Sequence, residues 1–375
     1  MYTEIESLIE LKNALAEHEG EEISGFVFQC LDFEAETQLL SGKKISNCIF
    51  LGCKIPHVML REVIENNAVF PELDVPYNPH LNCLYTHETL YDAYIPGKPE
   101  SYAKTLDKVV YDHYIREGKE EANIKETLAR RLHDYSITDA LYDFLSGYDE
   151  RKTAAIMGGH SLSRSSDDYR KVARISRHLT ERGYLLLSGG GPGAMEATHL
   201  GAWMAGKDEA SLTKAFEILE KAPSYKDALW LDSAFEVITA FPNPEFESLG
   251  IPTWLYGHEP PTPFATRIAK YFANSVREDG LLAVAKGGIV FSPGSAGTVQ
   301  EVFQEVTQNH YLSFGYASPM VFFNKSFWET EMPIYPLLKT LLAEGKLKNL
   351  ILSICSDESE VIHELAKFLN EQLAT

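Results

Sequence analysis

The chain has 375 residues, of which 45% are hydrophobic and 23% are charged, a composition that is typical of a folded globular protein and excludes an intrinsically disordered one. Because 54 acidic residues outnumber 34 basic ones, the net charge is −20 at pH 7, and a surface this acidic argues against nucleic acid as a partner. The length fits two domains of roughly 100–200 residues each.

The sequence predicts neither a membrane anchor nor an export signal. No apolar run reaches the ~20 residues that span a bilayer, and the N-terminal segment is acidic and interrupted by charges. The five cysteines are odd in number and lack the CxxC spacing of metal sites, which is typical of a reducing compartment. We therefore expect a cytoplasmic protein with no membrane partner.

The N-terminal part of the chain mixes helix-like and strand-like segments without regular alternation. We expect helices at 6–17, 101–117, 121–133 and 137–145, strands at 25–29 and 48–51, and an irregular segment at 71–99. Ser136 and Asp139 have the spacing of a capping pair at the start of the last helix. The pattern predicts an α+β accessory domain over residues 1–148, whose function the sequence does not indicate.

From residue 149 onward, short apolar runs alternate with helix-like segments, which is typical of a parallel sheet covered by helices on both faces. We expect strands at 153–157, 184–188, 236–241, 251–256, 289–291, 320–323 and 350–355, and helices at 167–182, 337–344 and 358–369. The pattern predicts an α/β domain over residues 149–375, with a Rossmann-like, doubly wound parallel sheet.

A glycine-rich loop, SGGGPGAMEA, follows the strand predicted at 184–188 and leads into a helix. Its glycines, Gly189, Gly190, Gly191 and Gly193, permit close approach to a ligand, and the helix N-terminus offers unpaired N–H groups. These features predict an anion site, although a tight strand-to-helix turn would also use glycine. The string fits the dinucleotide pattern GxGxxA, but a strand–helix unit precedes it and the acidic residue expected ~20 positions later is missing.

A second glycine-rich turn, SPGSAGT, lies between the strand predicted at 289–291 and another helix. The apolar residues of this helix have core spacing, so Thr298, Glu301 and Glu305 share a different face. A carboxylate one turn into such a helix lies near whatever the loop holds. The alternative is that both glutamates only complement the helix dipole.

Two such loops at the carboxyl ends of parallel strands place a ligand in the crevice above the sheet. The chain contains neither a GxxxxGK[ST] nor a GxSxG sequence, so neither a P-loop nor a nucleophile elbow is supported. No group of His, Cys, Asp and Glu residues has convincing metal-ligand spacing. We therefore expect a small-molecule ligand, no metal and no other cofactor.

The two loop sequences, SGGGPGAMEA and PGSAGTVQE, resemble the hallmarks GGGxxGxM and PGGxGTxxE of the LOG family, also known as "lysine decarboxylase-like" proteins. The resemblance covers roughly residues 150–375 and departs from the family at Ser295, where the family has a glycine. A backbone with φ > 0 at this position would strain a serine. The resemblance implies a Rossmann-like fold, a homodimer or higher homo-oligomer, and hydrolysis of nucleoside 5′-monophosphates to free base and ribose 5-phosphate, as in larger bacterial members.

The resemblance also implies the site residues. The substrate-binding residues would be Gly158, Gly189, Gly190, Gly191, Gly193, Met195, Pro293, Gly294, Ser295, Ala296, Gly297 and Thr298. The family's catalytic pair is an arginine and the glutamate that closes the second motif. The glutamate corresponds to Glu301, and the arginine to Arg277 in a helix predicted at 267–279, with Arg267 as the reserve candidate.

These residues support breakage of the N-glycosidic bond through a cationic, oxocarbenium-like ribose. Backbone N–H groups of residues 294–298 and the Thr298 hydroxyl would anchor the 5′-phosphate. Glu301 would stabilise the cation and orient water. Arg277 would act by electrostatic positioning, because arginine is a poor proton donor at neutral pH.

Three alternatives stay open at the level of the sequence. The segment 254–267 either covers the base, through His258 or Glu259, or is a rigid proline-rich connection. A non-catalytic sensor or carrier of nucleotides or cofactors would use the same loops without turnover. A decarboxylase would need pyridoxal phosphate on a lysine, and the sequence around Lys286, the lysine beside the second loop, does not indicate a site for that cofactor.

Overall fold

The computed structural model describes residues 2–17, 22–35, 40, 42–242 and 245–373. The chain forms two compact units, one comprising Met1–Leu84 and His113–Asp143 and the other comprising Tyr85–Asp112 and Phe144–Thr375. The sequence division at residue 148 differs from this arrangement, because it assigns the segment 85–112 to the N-terminal domain. That segment packs within the second unit, where Tyr85 and Ile268 exchange backbone hydrogen bonds of 3.0 and 2.7 Å.

Ahead of residue 84, the described part of the first unit contains six short strands and two ten-residue helices. In chain order these are β1 (Thr3–Ile5), α1 (Leu8–Glu17), β2 (Glu22–Ser24), β3 (Phe26–Gln29), β4 (Lys44–Ser46), β5 (Ile49–Leu51), α2 (His57–Asn66) and β6 (Ala68–Phe70). The strands β1, β3, β5 and β6 form one parallel sheet in that order, and β2 pairs with β4, also in parallel. The inward side chains of Phe28, Phe33 and Phe50 form the centre of the core.

The next part of the chain is helical, as the sequence predicts, but its boundaries differ. It contains α3 (His87–Leu90), α4 (Leu106–Arg116) and α5 (Ile124–Leu145). The prediction of a separate helix capped by Ser136 and Asp139 is wrong, because α5 continues through both residues. The Ser136 side chain is buried and donates a hydrogen bond to the carbonyl of Pro79 at 3.1 Å, so a tertiary contact takes the place of the cap.

The second unit is built on a seven-stranded sheet with helices between the strands. Its elements are β7 (Thr153–Met157), α6 (Asp167–Thr180), β8 (Leu185–Ser188), α7 (Ala194–Trp203), α8 (Glu209–Leu219), α9 (Trp230–Ala240), β9 (Ser248–Gly250), β10 (Arg267–Ile268), α10 (Asn274–Val284), β11 (Gly288–Phe291), α11 (Ala296–Tyr311), β12 (Pro319–Phe323), α12 (Ile334–Ala343), β13 (Ile351–Cys355) and α13 (Glu358–Leu373). All pairs are parallel, in the order β10-β9-β8-β7-β11-β12-β13. The predicted Rossmann-like α/β fold is confirmed.

The central strands are buried along their whole length, which explains their nearly continuous apolar sequences. The helix α6 is capped by Ser166, whose hydroxyl accepts a hydrogen bond from the backbone N–H of Tyr169 at 3.2 Å. Val172, Ile175 and Leu179 lie on its buried face, which packs against the sheet and α7. Burial of these apolar side chains supplies the main stabilisation of the sheet.

Three of the predicted elements of this unit are wrong. The strand expected at 236–241 is absent, because residues 236–240 belong to the helix α9, in which Trp230, Ala234 and Val237 are buried at helical rather than alternating spacing. The strand expected at 251–256 lies earlier in the chain, at Ser248–Gly250. It ends there because Pro252 cannot donate a hydrogen bond to the neighbouring strand. The helix expected at 267–279 starts only at Asn274, after the short strand β10.

The order of the strands determines where a ligand can bind. The first strand, β7, lies in the middle, with β8 to β10 on one side and β11 to β13 on the other. The direction of winding therefore reverses between β7 and β11, and a crevice opens at their carboxyl ends.

None of the helices in the described part of the chain is long and apolar enough to cross a membrane.

Candidate functional site

Three loops meet at the carboxyl ends of β7, β8 and β11. The backbone N–H of Gly159 donates to the carbonyl of Pro293 at 3.0 Å, which joins the loop after β7 to the loop after β11. The N–H of Ala194, at the start of α7, donates to the carbonyl of Gly159 at 3.1 Å. Both predicted glycine loops therefore line one crevice, with the loop that contains Gly158 between them.

The guanidinium of Arg277 lies directly against the first glycine loop. A Cβ atom added to Gly189 would be 2.3 Å from Nη2 of Arg277 and 2.6 Å from the sulfur of Met195. The Nε of Arg277 donates a hydrogen bond to the carbonyl of Ile251 at 2.7 Å. Only a glycine leaves room for this arginine, so Gly189 is a position where close approach, rather than turn geometry, requires the residue.

Gly193 is required for a different reason. Its backbone has φ of 72° and ψ of −129°, and an added Cβ would be 2.4 Å from the carbonyl oxygen of Gly159. This conformation is accessible to glycine but strained for any other residue. The loop thereby turns directly into α7, whose first N–H groups lie next to the loop after β7.

A buried histidine supports the first loop, and the sequence reasoning did not single it out. The side chain of His199 lies 2.8 Å from Oγ of Ser188 and 2.9 Å from Oγ of Ser248, and the Ser188 hydroxyl accepts from the N–H of Gly190 at 3.0 Å. Burial lowers the pKa of His199 to about 3, so the imidazole is neutral. The sequence offers one signal for His199, namely a polar residue within an otherwise apolar helix. This signal does not indicate a role until the fold shows which groups the imidazole contacts.

The glutamate of the first motif, Glu196, is already paired. Arg164 donates to both of its carboxylate oxygens, at 2.8 and 2.5 Å, and the hydroxyl of Tyr169 donates to it at 3.0 Å. All three side chains are essentially inaccessible to solvent, and the guanidinium stacks over the ring of Trp230. This ion pair ties the first turn of α7 to the chain after β7 and engages both carboxylate oxygens of Glu196 within the protein.

The second loop leaves the N-terminus of α11 open. Ser295, Ala296 and Gly297 are exposed, whereas Thr298 is buried with its hydroxyl next to Gly294. Ser295 has φ of −117°, so the serine that stands where the resembled motif has a glycine causes no backbone strain. A sixteen-residue helix presents its first N–H groups and the positive end of its dipole here, which is an arrangement that binds anions.

Glu301 lies one turn into α11 and is half-buried. Burial raises its pKa to about 7, because removal from water disfavours the charged carboxylate. The positive charge of Arg277 opposes this rise, and the negative charge of Glu278 adds to it. The structure therefore brings Arg277 and Glu301, the two residues predicted as a pair, within electrostatic reach of each other.

The carboxylate of Glu278 ties the helices that carry this pair. It accepts hydrogen bonds from the side chains of Asn274 in α10 and Gln300 in α11, both at 2.7 Å. Gln300 precedes Glu301 in the chain, and Glu278 follows Arg277. This bridge was not predicted from the sequence, because it depends on how α10 packs against α11.

Glu305, on the same helix face as Glu301, has a different environment. It is 2% exposed and accepts a hydrogen bond from the Ser318 hydroxyl at 2.5 Å. Burial raises its pKa to about 7, although the hydrogen bonds from Ser318 and Asn309 act in the opposite direction. Its carboxylate is therefore engaged within the protein, in contrast to that of Glu301.

Ser292, the first residue of the second loop, was not predicted as a site residue. Its hydroxyl is fully buried and has no hydrogen-bond partner among the described residues. A Cβ atom added to Gly158 would lie only 2.3 Å from this oxygen. Gly158 and Ser292 therefore face each other at the switch point between β7 and β11.

The segment 254–267 borders the first loop. The N–H of Thr262 donates to the carbonyl of Gly190 at 2.8 Å, and Glu259 lies 3.9 Å from the position of a Cβ on Gly191. The Oε1 atom of Glu259 is 3.8 Å from the imidazole Nε2 of both His160 and His258. His258 and Glu259 are the two residues that the sequence suggested for contacts to the base. Of these, Glu259 lies next to the first loop.

Two of the sequence candidates lie at the amino ends of the strands instead. Arg267 begins β10 and forms an ion pair of 2.7 Å with Glu247. Lys286 precedes β11 and pairs with Glu150 at 2.6 Å, so the expectation that it lies beside the second loop is wrong. The strand β11 runs from Lys286 toward the second loop, so the two lie at opposite ends of this strand although they are close in the sequence.

No family model and no curated protein sequence matches the chain. Among solved structures, the chain is similar to a molybdenum cofactor binding protein from the phototrophic bacterium Rippkaea orientalis. The two share 13% sequence identity with a TM-score of 0.37, over 59% of this chain and 99% of that protein.

Proposed function

We propose that this chain hydrolyses the N-glycosidic bond of nucleoside 5′-monophosphates and releases a free base and ribose 5-phosphate. The observation that carries the proposal is the position of Arg277, whose guanidinium lies against Gly189 within electrostatic reach of Glu301. The resemblance of the two loop sequences to the LOG family supports the same reaction. The proposal includes a homodimer or higher oligomer, which size-exclusion chromatography of the intact chain checks.

The 5′-phosphate is held at the N-terminus of α11. The exposed N–H groups of Ser295, Ala296 and Gly297 and the positive end of the helix dipole attract an anion despite the acidic surface of the protein. The hydroxyl of Thr298, next to Gly294, adds a donor. Anchoring of the phosphate brings the ribose over the first turn of α11.

Glu301 acts on the ribose. As a carboxylate it stabilises the positive charge that develops on the sugar when the bond to the base breaks, and it orients the attacking water. A pKa of about 7 makes the residue a suitable proton acceptor near neutral pH, since it then exists partly as carboxylate and partly as acid. One glutamate therefore serves both the cation and the water.

Arg277 fixes the substrate rather than transferring a proton. Guanidinium groups stay protonated at neutral pH, so this side chain acts through its charge and its hydrogen-bond donors. Its Nε is occupied by the carbonyl of Ile251, which leaves the Nη atoms directed toward Gly189. In that position they contact ribose hydroxyls or the departing base.

The test is a product assay with purified protein and AMP, GMP, IMP, CMP and UMP. Free base and ribose 5-phosphate are followed by chromatography, in parallel for Glu301→Gln and for Glu217→Gln, which replaces an exposed glutamate on α8. We expect release of base by the unmodified protein and by Glu217→Gln, and a loss of about 100-fold or more with Glu301→Gln.

Absence of turnover with all five nucleotides would contradict the proposal. If the folded protein then still bound a nucleotide, the second candidate, a nucleotide- or cofactor-binding sensor or carrier, would be favoured. The open helix N-terminus would serve that role equally, because it binds an anion without any need for Glu301.

A further inference from the structure

The helix α5 carries apolar residues on its solvent-facing side as well as on its buried side. Ile124, Leu128, Tyr135 and Tyr142 follow one another at intervals of four and seven residues, which places them on one face of the helix. These four residues form the α5 stripe, and each is between 52% and 89% exposed. The opposite face, which includes Ile137, is buried. A helix with one buried face needs only one apolar face, so the second one indicates a partner.

The charges beside the α5 stripe are divided between the two ends of the helix. Lys125 and Arg131 are exposed in the N-terminal half, whereas Asp139 and Asp143 lie in the C-terminal half. One carboxylate oxygen of Glu4, on β1, lies within 4.8 Å of one from each of these two aspartates. One end of the surface is therefore basic and the other is acidic.

The carboxylates at the acidic end repel one another. Burial and the negative charges of Asp139 and Asp143 raise the pKa of Glu4 above its ordinary value. Burial and the charge of Asp143 likewise raise the pKa of Asp139, and burial together with the surrounding carboxylates raises the pKa of Glu6 to about 7. A cation that reaches this end relieves the repulsion, because an opposite charge stabilises the carboxylate form.

The residues around Tyr135 form a self-complementary pattern. Arg131 precedes Tyr135 by four residues, and Asp139 follows it by four. Leu128 and Tyr142 are placed in the same way, seven residues before and seven residues after. When two copies of α5 lie antiparallel and meet at Tyr135, each Arg131 is level with Asp139 of the second copy, and each Leu128 is level with Tyr142. A two-fold axis requires such a pattern, since each copy presents the same surface to the other.

We propose that the first unit binds a second copy of this chain through antiparallel pairing of the two α5 helices. The α5 stripes form the centre of the contact, and Arg131 of each copy neutralises the acidic end of the other. A helix of 22 residues is about 33 Å long.

The size of this surface sets the strength of the association. A face about 33 Å long and about 10 Å wide gives roughly 330 Å² per copy, which is less than the ~800 Å² per partner of a standard interface. The pairing is therefore reversible and depends on the protein concentration, in contrast to a permanent interface.

Sedimentation velocity of the intact protein, from micromolar to submillimolar concentrations, tests the proposal. The buffer contains about 0.15 M salt, at which the repulsion between two acidic proteins is screened beyond about 8 Å. We expect the mass of the particle to double as the concentration rises. Arg131→Glu and Asp139→Arg each place like charges level with each other, so each should weaken the association about tenfold or more. The matched control is Arg61→Glu, which reverses an exposed charge on α2 and leaves the association unchanged.

A mixture of Arg131→Glu and Asp139→Arg separates a direct contact from an indirect effect. In a mixed pair, opposite charges are level with each other at both contacts, so the association should recover although each variant alone associates weakly. Tyr135→Glu, at the centre of the stripe, should abolish the pairing and provides a second variant. Undiminished association in Tyr135→Glu, or no recovery in the mixture of folded variants, would overturn the proposal. A mass that does not change with concentration in the unmodified protein would also overturn it and leave the stripe to another partner.

The two proposals fail separately, because none of the residues of this surface belongs to the crevice. A nucleotide hydrolase whose mass does not depend on concentration would contradict only the pairing of α5. A protein without turnover that associates in an Arg131-dependent manner would contradict only the reaction. A permanent oligomer that gains no further mass at high concentration would agree with the oligomer expected above and still overturn the pairing of α5.

Discussion

At the scale of single residues, the contact between Gly189 and Arg277 is the most sensitive part of the crevice. The atoms of Arg277 and Met195 occupy the space that a side chain on Gly189 would need. The loop therefore tolerates no substitution without displacement of the guanidinium.

Gly189→Ala should displace Arg277 and lower kcat/KM for the proposed nucleotide substrate by about 100-fold, because misplacement of a positioning group by ~1 Å has an effect of this size. The matched control is Gly280→Ala. Gly280 lies in α10, the helix that carries Arg277, and an added Cβ meets nothing within 4 Å. We expect this control to keep its activity and to gain up to about 1 kcal/mol of stability from the better helix former. Equal activity of both variants would contradict the role of Gly189.

The pKa of Glu301 predicts the pH dependence of the proposed reaction. Because the carboxylate form is the active one, kcat/KM should fall as the pH decreases through about 7. Glu278→Gln removes a negative charge that raises this pKa, so the acidic limb of the profile should move to lower pH. Profiles for both proteins with one nucleotide provide the measurement, since titration of the substrate phosphate then affects both equally. An unchanged or oppositely shifted limb would argue against Glu301 as the titrating group.

At the scale of secondary-structure elements, the N-terminal half of α11 combines two tasks. Its exposed end and Glu301 face the crevice, and Glu305 one turn later is buried against Ser318. Two carboxyl groups four residues apart therefore have similar pKa values for one shared reason, burial, but they serve different purposes.

Glu305 should make the stability of the protein depend on pH. Its folded-state pKa of about 7 exceeds the ordinary value of 4.5, so its stabilising contribution is complete below about pH 4.5 and is lost as the pH rises through 7. The loss amounts to about 3 kcal/mol. Glu305→Gln should remove this part of the pH dependence, since the amide oxygen still accepts from Ser318.

Urea unfolding at about pH 5 and about pH 8 gives the measurement for Glu305. Other groups titrate in the same range, Glu301 among them, so the quantity to compare is the difference between the unmodified protein and the variant at each pH. A difference that does not change with pH would contradict the prediction.

At the scale of the whole molecule, the two compact units do not follow the order of the chain. The segment Tyr85–Asp112 belongs to the second unit although residues on both sides of it belong to the first. Asp107 within this segment forms a fully buried ion pair with Lys270 and accepts a hydrogen bond from the Tyr102 hydroxyl at 2.8 Å. This pair fixes the segment next to β10.

Asp107→Asn should destabilise the second unit by about 3–5 kcal/mol, because it leaves the ammonium of Lys270 buried without a counter-charge. Hydrogen exchange followed by mass spectrometry should show faster exchange in the strands β7 to β9. The control is Asp112→Asn, which removes an exposed ion pair to Lys108 and should change the stability by less than about 1 kcal/mol. Faster exchange confined to β3 and β5 would contradict the assignment of Asp107 to the second unit.

Local sequence signals determined the elements that are apolar along their whole length and the loops that follow them. The strands β7, β8, β11 and β12 and the two glycine loops could be predicted, because buried parallel strands and glycine-rich loops have distinctive sequences. The same signals wrongly predicted a strand at 236–241. This apolar run is too short to distinguish the spacing of a helix from that of a strand, and it lies at the end of α9.

The tertiary structure alone decided which residues meet. The sequence ranked Arg277 ahead of Arg267 only through the resemblance, and the strand order places the first at Gly189 and the second at the opposite edge beside Glu247. The buried partners of Ser188, Glu196 and Glu305 likewise depend on how separate elements pack, since they lie 11, 32 and 13 residues away in the chain. The physical reason is that sequence patterns report local conformation and burial, whereas the distances and pKa values of a site arise only when the strands are ordered and the helices packed.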